Sequence, residues 1–216
     1  MMREIDMKSW SRREHYQLFY TYAKPYFSLS AQLDLTQFKA WLKETGRPFF
    51  PWMVYLVSRV ANEMPEFRQR IRAGAVVEHD VVHPSFTIML PDERFGFCAT
   101  PYQLAGDAFV ETALERMAAA QNGALLSDDG DDLLFITSVP WVAFNGISHA
   151  MRGDDSDAVP RIAWGKYEQV GERWKMTLSV QVHHGLADGL HLGRFFARLQ
   201  AFLTEPAKCV EGCSTV

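Results

Sequence analysis

The sequence predicts an α+β two-layer sandwich, and three observations carry that expectation. Segments with helical spacing and segments with strand alternation follow one another in irregular order, without strict βαβ alternation. The chain has 216 residues, 48% of them hydrophobic and 22% charged, enough for one large core. No internal repeat and no Pro/Ser-rich linker divides it. A single domain over residues 1–216 is therefore expected, with a flexible C-terminal tail from about residue 205.

Taken in order, the first helix is expected after Trp10-Ser11 and through about Ala23, with Tyr16, Phe19 and Tyr20 at helical spacing. Phe27 to Leu33 alternates apolar and polar residues, as a half-buried strand does. Asp34 and Thr36 are candidate caps for a short helix carrying Phe38, Trp41 and Leu42. A further helix runs from Pro51 to about Asn62, and Pro65 punctuates a continuation to Arg72. Residues 75–102 are rich in Val, Ile and Phe and read as strands and turns. Residues 107–120 read as a helix and 133–144 as extended chain. Residues 161–168 and 174–183 predict a hairpin about Gly171-Glu172. A last helix from about Asp188 to Leu203 buries Leu192, Phe195, Phe196, Leu199 and Phe202.

A net charge of −4 and a pI near 6.0 supply no electrostatic footprint for nucleic acid or an anionic membrane. No apolar run approaches the length of a membrane span. The opening Met1-Met2-Arg3-Glu4-Ile5-Asp6 lacks the apolar stretch of a signal peptide, so a cytoplasmic protein is expected. Cys209 and Cys213 read as free thiols on a frayed tail, since no second Cys/His pair accompanies them. The acidic runs 127–132 and 153–157 lack the alternating ligands and closing glutamate of a calcium loop and read as solvated turns.

The chemistry concentrates between Leu178 and Gly189. Leu178 to Val182 reads as strand, Gly185 and Gly189 relax the backbone, and the amphipathic helix follows. Two histidines thus stand at the end of a rigid strand. Imidazole ionises near neutrality, so His184 can accept a proton and return it while the Asp188 carboxylate fixes geometry. A bare His-His pair is more often a buried polar pair than a site. The full pattern of His-His, three residues, then Asp-Gly shifts that balance. Adjacent residues on a strand point to opposite faces, so His183 and His184 would not share one ion. Only His184, Asp188 and His191 share a helical face, in a helix weakened by its glycines, and no metal is expected.

His183-His184-Gly185-Leu186-Ala187-Asp188-Gly189 resembles the active-site signature of type A chloramphenicol acetyltransferases. Dihydrolipoyl acyltransferase cores and peptide-synthetase condensation domains share it more loosely. Trp10-Ser11-Arg12-Arg13-Glu14-His15-Tyr16 is similar to the family's N-terminal helix start. Met64-Pro65-Glu66-Phe67-Arg68, Ser138-Val139-Pro140-Trp141-Val142 and Gly165-Lys166-Tyr167 match in order, so the resemblance spans about residues 6 to 203. It implies the coenzyme-A-dependent acyltransferase form of the sandwich, a mixed sheet with helices packed on one face.

The resemblance also implies a chloramphenicol O-acetyltransferase that moves acetyl from acetyl-CoA to the drug hydroxyl and so confers antibiotic resistance. Transfer is direct in a ternary complex, without acyl-enzyme or metal. His184 is then the general base, Thr137 stands in for a family serine as oxyanion donor, and Asp188 with Arg12 is a structural pair. Lys166, Tyr167 and Arg47 would bind the coenzyme. Phe19, Phe27, Phe95 and Ile147 would line the acceptor pocket with His149 and Arg161. Arg161, Ala163 and His149 depart from the family's residues there, and residues 90–94 are one short. Another small alcohol or amine is therefore the alternative acceptor, and a non-catalytic drug-binding protein the alternative of another class. A homotrimer with each site at a subunit interface completes the expectation.

Overall fold

The computed structural model describes residues 1–91, 93–121, 130–151 and 157–210. Cys213, Ser127 to Asp129 and Gly153 to Ser156 lie outside them. Strand β1 (Met2–Glu4) precedes helix α1 (Arg13–Tyr20), strand β2 (Tyr26–Asp34), and helices α2 (Thr36–Thr45) and α3 (Phe49–Asn62). One helical turn, α4 (Pro65–Arg68), leads into strands β3 (Gln69–Arg72) and β4 (Ala75–His79). Strands β5 (His83–Met89) and β6 (Phe95–Ala99), helix α5 (Gly106–Gln121) and strand β7 (Leu133–Val139) follow. The chain ends with β8 (Arg161–Gly165), β9 (Glu168–Val170), β10 (Arg173–His183) and α6 (Gly189–Thr204).

The main sheet has seven strands in the order β2-β10-β8-β7-β5-β6, with β9 paired to β10. It is mixed: β5, β7 and β8 are mutually parallel and the other pairs antiparallel. One face carries the core. Met176, Leu178, Val180 and Val182 of β10, with Ile162, Trp164, Leu134 and Ile136, pack against the apolar faces of α2, α3, α5 and α6. Because side chains alternate along a strand, Ser179, Gln181 and His183 of β10 rise from the opposite face with Arg161, Ala163 and Thr137. That face is polar, and the chain after Pro140 crosses it. Met151 Sδ accepts from Gln181 Nε2 at 2.9 Å, and Asp157 grips Arg161 through both oxygens at 2.9 and 2.6 Å.

A small sheet, β1-β4-β3, flanks the main one. Arg70 joins the two: it is fully buried and donates to the carbonyls of Phe67, Gln69, Asp131 and Leu133. Burial draws its pKa down to about 10, so the guanidinium remains charged at neutral pH.

Several expectations are corrected. The helix expected to continue to Arg72 stops at Arg68, because Ala73 and Gly74, both at positive φ, turn Gln69–Arg72 back onto Ala75–His79. The acidic runs are not simply solvated turns: Asp131 pairs with Arg72 and His79, and Asp157 is buried. The tail is not frayed from 205. Pro206–Cys209 forms a 3-10 turn, Cys209 is buried, and its carbonyl accepts from the Tyr55 hydroxyl at 3.0 Å. Burial pushes the Cys209 thiol up to about 11, which leaves it protonated and unreactive at neutral pH.

Candidate active site

Strand β10 ends at His183, and the next five residues form a tight turn before α6. The His184 N–H donates to Pro25 O at 2.7 Å, while the Leu186 and Ala187 N–H groups close on His183 O at 2.9 and 3.1 Å. Gly185 sits at a close approach: its φ is not positive, but an added Cβ would lie 3.1 Å from the His183 ring and from Tyr16 Cα, so a larger residue would have to push them back by a few tenths of an ångström. The His183 Nδ1 accepts from the Gly185 N–H at 3.1 Å. No such crowding meets Gly189.

Arg12, at the cap position of α1, holds this turn from outside. It donates to Asp188 Oδ2 at 2.7 Å, to His184 O at 3.2 Å and to Gly185 O at 3.4 Å. Asp188 in turn caps α6: its Oδ1 accepts from the Leu190 N–H at 3.0 Å and lies 2.8 Å from His191 Nδ1. Burial alone would raise the Asp188 carboxyl, but the hydrogen bonds from Arg12 and His191 outweigh it and hold the group well below the usual carboxylate range. The expected Arg12–Asp188 pair is thus present, and one carboxylate serves both the clamp and the helix cap.

The His184 ring stacks on Phe19, centroids 4.1 Å apart, and on Phe27, 4.8 Å apart. Its Nδ1 is 3.3 Å from Ala187 O. A carbonyl can only accept, so the neutral ring keeps its proton on Nδ1 and its lone pair on Nε2. A base needs that tautomer.

Thr137 is not beside His184. It stands level with Ala163, which stands level with Ser179, two strands away and five residues short of His184. At about 3.3 Å per residue and 4.8 Å per strand, the two lie on the order of 20 Å apart in one chain. Thr137 instead lines an apolar cleft of about 300 Å³ with Thr87, Met89, Phe95, Pro140 and Trp141. The expected acceptor residues are divided likewise: Phe19 and Phe27 lie with His184, Phe95 lies with Thr137. Arg161 is on the sheet face of Thr137, and Ile147 and His149 are on the segment crossing it. Ser138 pairs with Trp164 and so takes the opposite face from Thr137, as alternation predicts.

Two of the three expected coenzyme residues follow β8 directly, and the third lies between α2 and α3. Lys166 is exposed just after β8, and Tyr167 packs on Phe49 and Trp174. Arg47 is bound to both oxygens of Asp107 and lies over Trp41 and Trp52, so any phosphate there would compete with a carboxylate. Sequence inspection missed Lys39, whose Nζ sits 3.6 Å from the Tyr167 ring centre and 3.8 Å from that of Trp174. It also missed Asp157, the neutralising partner of Arg161. Lys39 carries no sequence signal, since a helix lysine is ordinarily a surface charge; Asp157 lies in an acidic run that reads as loop.

The model of the chloramphenicol acetyltransferase family matches residues 1–200. The chain belongs to that family. Chloramphenicol acetyltransferase 2 of Haemophilus influenzae is 36% identical over 200 residues, covering 91% of this chain and 94% of the relative. Chloramphenicol acetyltransferase 3 of Escherichia coli is 33% identical over 210 residues, 95% of this chain and 98% of that one. Among solved structures, a chloramphenicol acetyltransferase superposes with a TM-score of 0.82 at 26% identity, over 94% of this chain and all of the other. The cubic core of a pyruvate dehydrogenase complex matches with a TM-score of 0.62 at 17% identity, over 91% and 88%, a likeness of fold alone. The mixed sheet with helices on one face is the chloramphenicol acetyltransferase architecture foreseen from the sequence, and no helix among the described residues is long and apolar enough to cross a membrane.

Proposed function

We propose that the protein is a type A chloramphenicol O-acetyltransferase that uses acetyl-CoA as acyl donor and protects a cell from the drug. The observation that carries the reading is the His184 imidazole, held by Ala187 O in the tautomer with its lone pair on Nε2, on a turn locked by Arg12 and Asp188. In the ternary complex Nε2 removes the proton from the acceptor hydroxyl as its oxygen attacks the thioester carbonyl. The Thr137 hydroxyl donates to the oxyanion. Collapse of the tetrahedral species expels coenzyme A thiolate, which takes the proton back from the imidazolium. Lys166 and Tyr167, with Arg47, meet the phosphates and adenine of the coenzyme, and Phe19, Phe27, Phe95 and Ile147 supply apolar contact to the acceptor. Incubation with chloramphenicol and acetyl-CoA is expected to release free thiol in step with acetylated drug. Drug binding without thiol release would instead identify a sequestering protein. Turnover only with other small alcohols or amines would change the acceptor and keep the chemistry.

The separation of His184 from Thr137 supports a second element, a homotrimer in which His184 of one copy faces Thr137 of the next. An assay of mixed subunits tests it. His184→Ala and Thr137→Ala are each expected to be nearly inert alone. Randomly mixed trimers of the two would regain roughly a quarter of wild-type activity, since one interface in each mixed trimer has both intact residues. Mixing that restores nothing would place the whole site within one chain.

A further inference from the structure

The Met64–Arg68 segment has no part in the chemistry above, yet it meets the turn that carries His184. Pro65 opens α4, and Phe67 is buried with its ring stacked on Phe195 of α6, centroids 4.7 Å apart. His191 lies one turn before Phe195 on the same helical face and is also buried. The stacked rings bring Glu66 alongside it, with Glu66 Oε1 3.4 Å from His191 Nε2. The other ring nitrogen, Nδ1, is 2.8 Å from Asp188 Oδ1 and 3.3 Å from Asp188 N. The shorter contact decides where the hydrogen sits. A bare nitrogen at that distance would set its lone pair against those of the carboxylate, so Nδ1 carries a proton and donates. A neutral ring would then turn the lone pair of Nε2 toward the Glu66 carboxylate. Only the imidazolium is attracted at both ends.

The neighbouring cations do not compete for this place. Arg12 binds the far oxygen of Asp188, Arg68 of α4 is turned to Glu78, and Arg194, the next basic residue of α6, is exposed. Asp188 is therefore held at both oxygens, Oδ2 by Arg12 and Oδ1 by His191, which fixes the plane of its carboxylate. Arg12 in turn carries the His184 and Gly185 carbonyls. A ladder of alternating charge, Glu66, His191, Asp188 and Arg12, thus runs from α4 to the backbone of the base. Resting on the acetyltransferase reading, we propose that His191 is a positioning residue whose imidazolium holds Asp188 square to Arg12 and so keeps the His184 ring placed for proton transfer. It acts through Asp188 and Arg12, so its loss misplaces the base and shows in kcat rather than in KM.

The test is His191→Asn, which keeps a donor where Nδ1 stands but carries no charge. Turnover is measured at saturating acceptor and acetyl-CoA, and the ratio of wild-type to variant kcat cancels the protonation of His184, which both share. At about pH 6.5 the ratio is expected to be roughly tenfold, with both KM values within about twofold of wild type. At about pH 9.5 the wild-type imidazole is neutral as well, and the ratio should shrink to about twofold. Glu66→Gln, a change at a partly exposed side chain, should show the same pH-dependent loss at about threefold. Histidine nitrogen NMR, with the His191 signals assigned by their loss in His191→Asn, should find hydrogen on both ring nitrogens at about pH 7. A neutral His191 ring at that pH, a kcat ratio that does not change with pH, or a lowered melting temperature at unchanged kcat would each overturn the proposal while leaving the acetyltransferase reading intact. Wild-type protein that acetylates no acceptor from acetyl-CoA would remove that reading and this role with it.

Discussion

His184→Ala is expected to cut kcat by about three orders of magnitude or more, at the upper part of the 10²–10⁴-fold range of general-base help. Folding should survive. The turn is held by the His184 N–H on Pro25 O and by Arg12 on the His184 and Gly185 carbonyls, none of which uses the imidazole. What is lost is stacking on Phe19 and Phe27, worth on the order of 1 kcal/mol. A thiol-release assay beside a thermal melt separates the two effects. A folded variant within tenfold of wild-type turnover would mean that the base lies elsewhere.

Asp188→Ala should behave in the opposite way, losing stability together with rate. The substitution removes the cap of α6 and strands the Arg12 guanidinium, whose side chain is only 12% exposed. Together these are expected to cost about 2–4 kcal/mol. The pH dependence identifies the cause. The folded carboxyl titrates below its ordinary range, so its contribution is complete above about pH 4, where an unfolded aspartate ionises, and is lost as pH falls towards the folded value. Urea melts at pH 7 and pH 3 should therefore find the gap between wild type and variant narrowing in acid. A gap of constant size would assign the loss to packing rather than to the ion pair.

The turn at His184 was legible in the sequence because its determinants are local: a strand, a glycine whose added Cβ would lie 3.1 Å from the His183 ring, and an aspartate positioned to cap the helix. Pairing of Asp188 with Arg12 spans the chain and came through family resemblance, as did the role of Thr137. The β3–β4 hairpin was misread because Arg68 to Arg72 continues an apparent helical pattern, and only Ala73-Gly74 signals the reversal. Cys209 was misread because Tyr55 and Arg59, which enclose it, lie some 150 residues earlier.

Three hydrogen-bonded strands fix the gap between Thr137 and His184, and no hinge lies within them. In the proposed trimer a lone polypeptide cannot become a catalyst by flexing, and the working unit comes into being only when copies meet. Under that arrangement a host making few molecules gains less than proportionate protection, because the yield of finished enzyme climbs with a power of expression level greater than one.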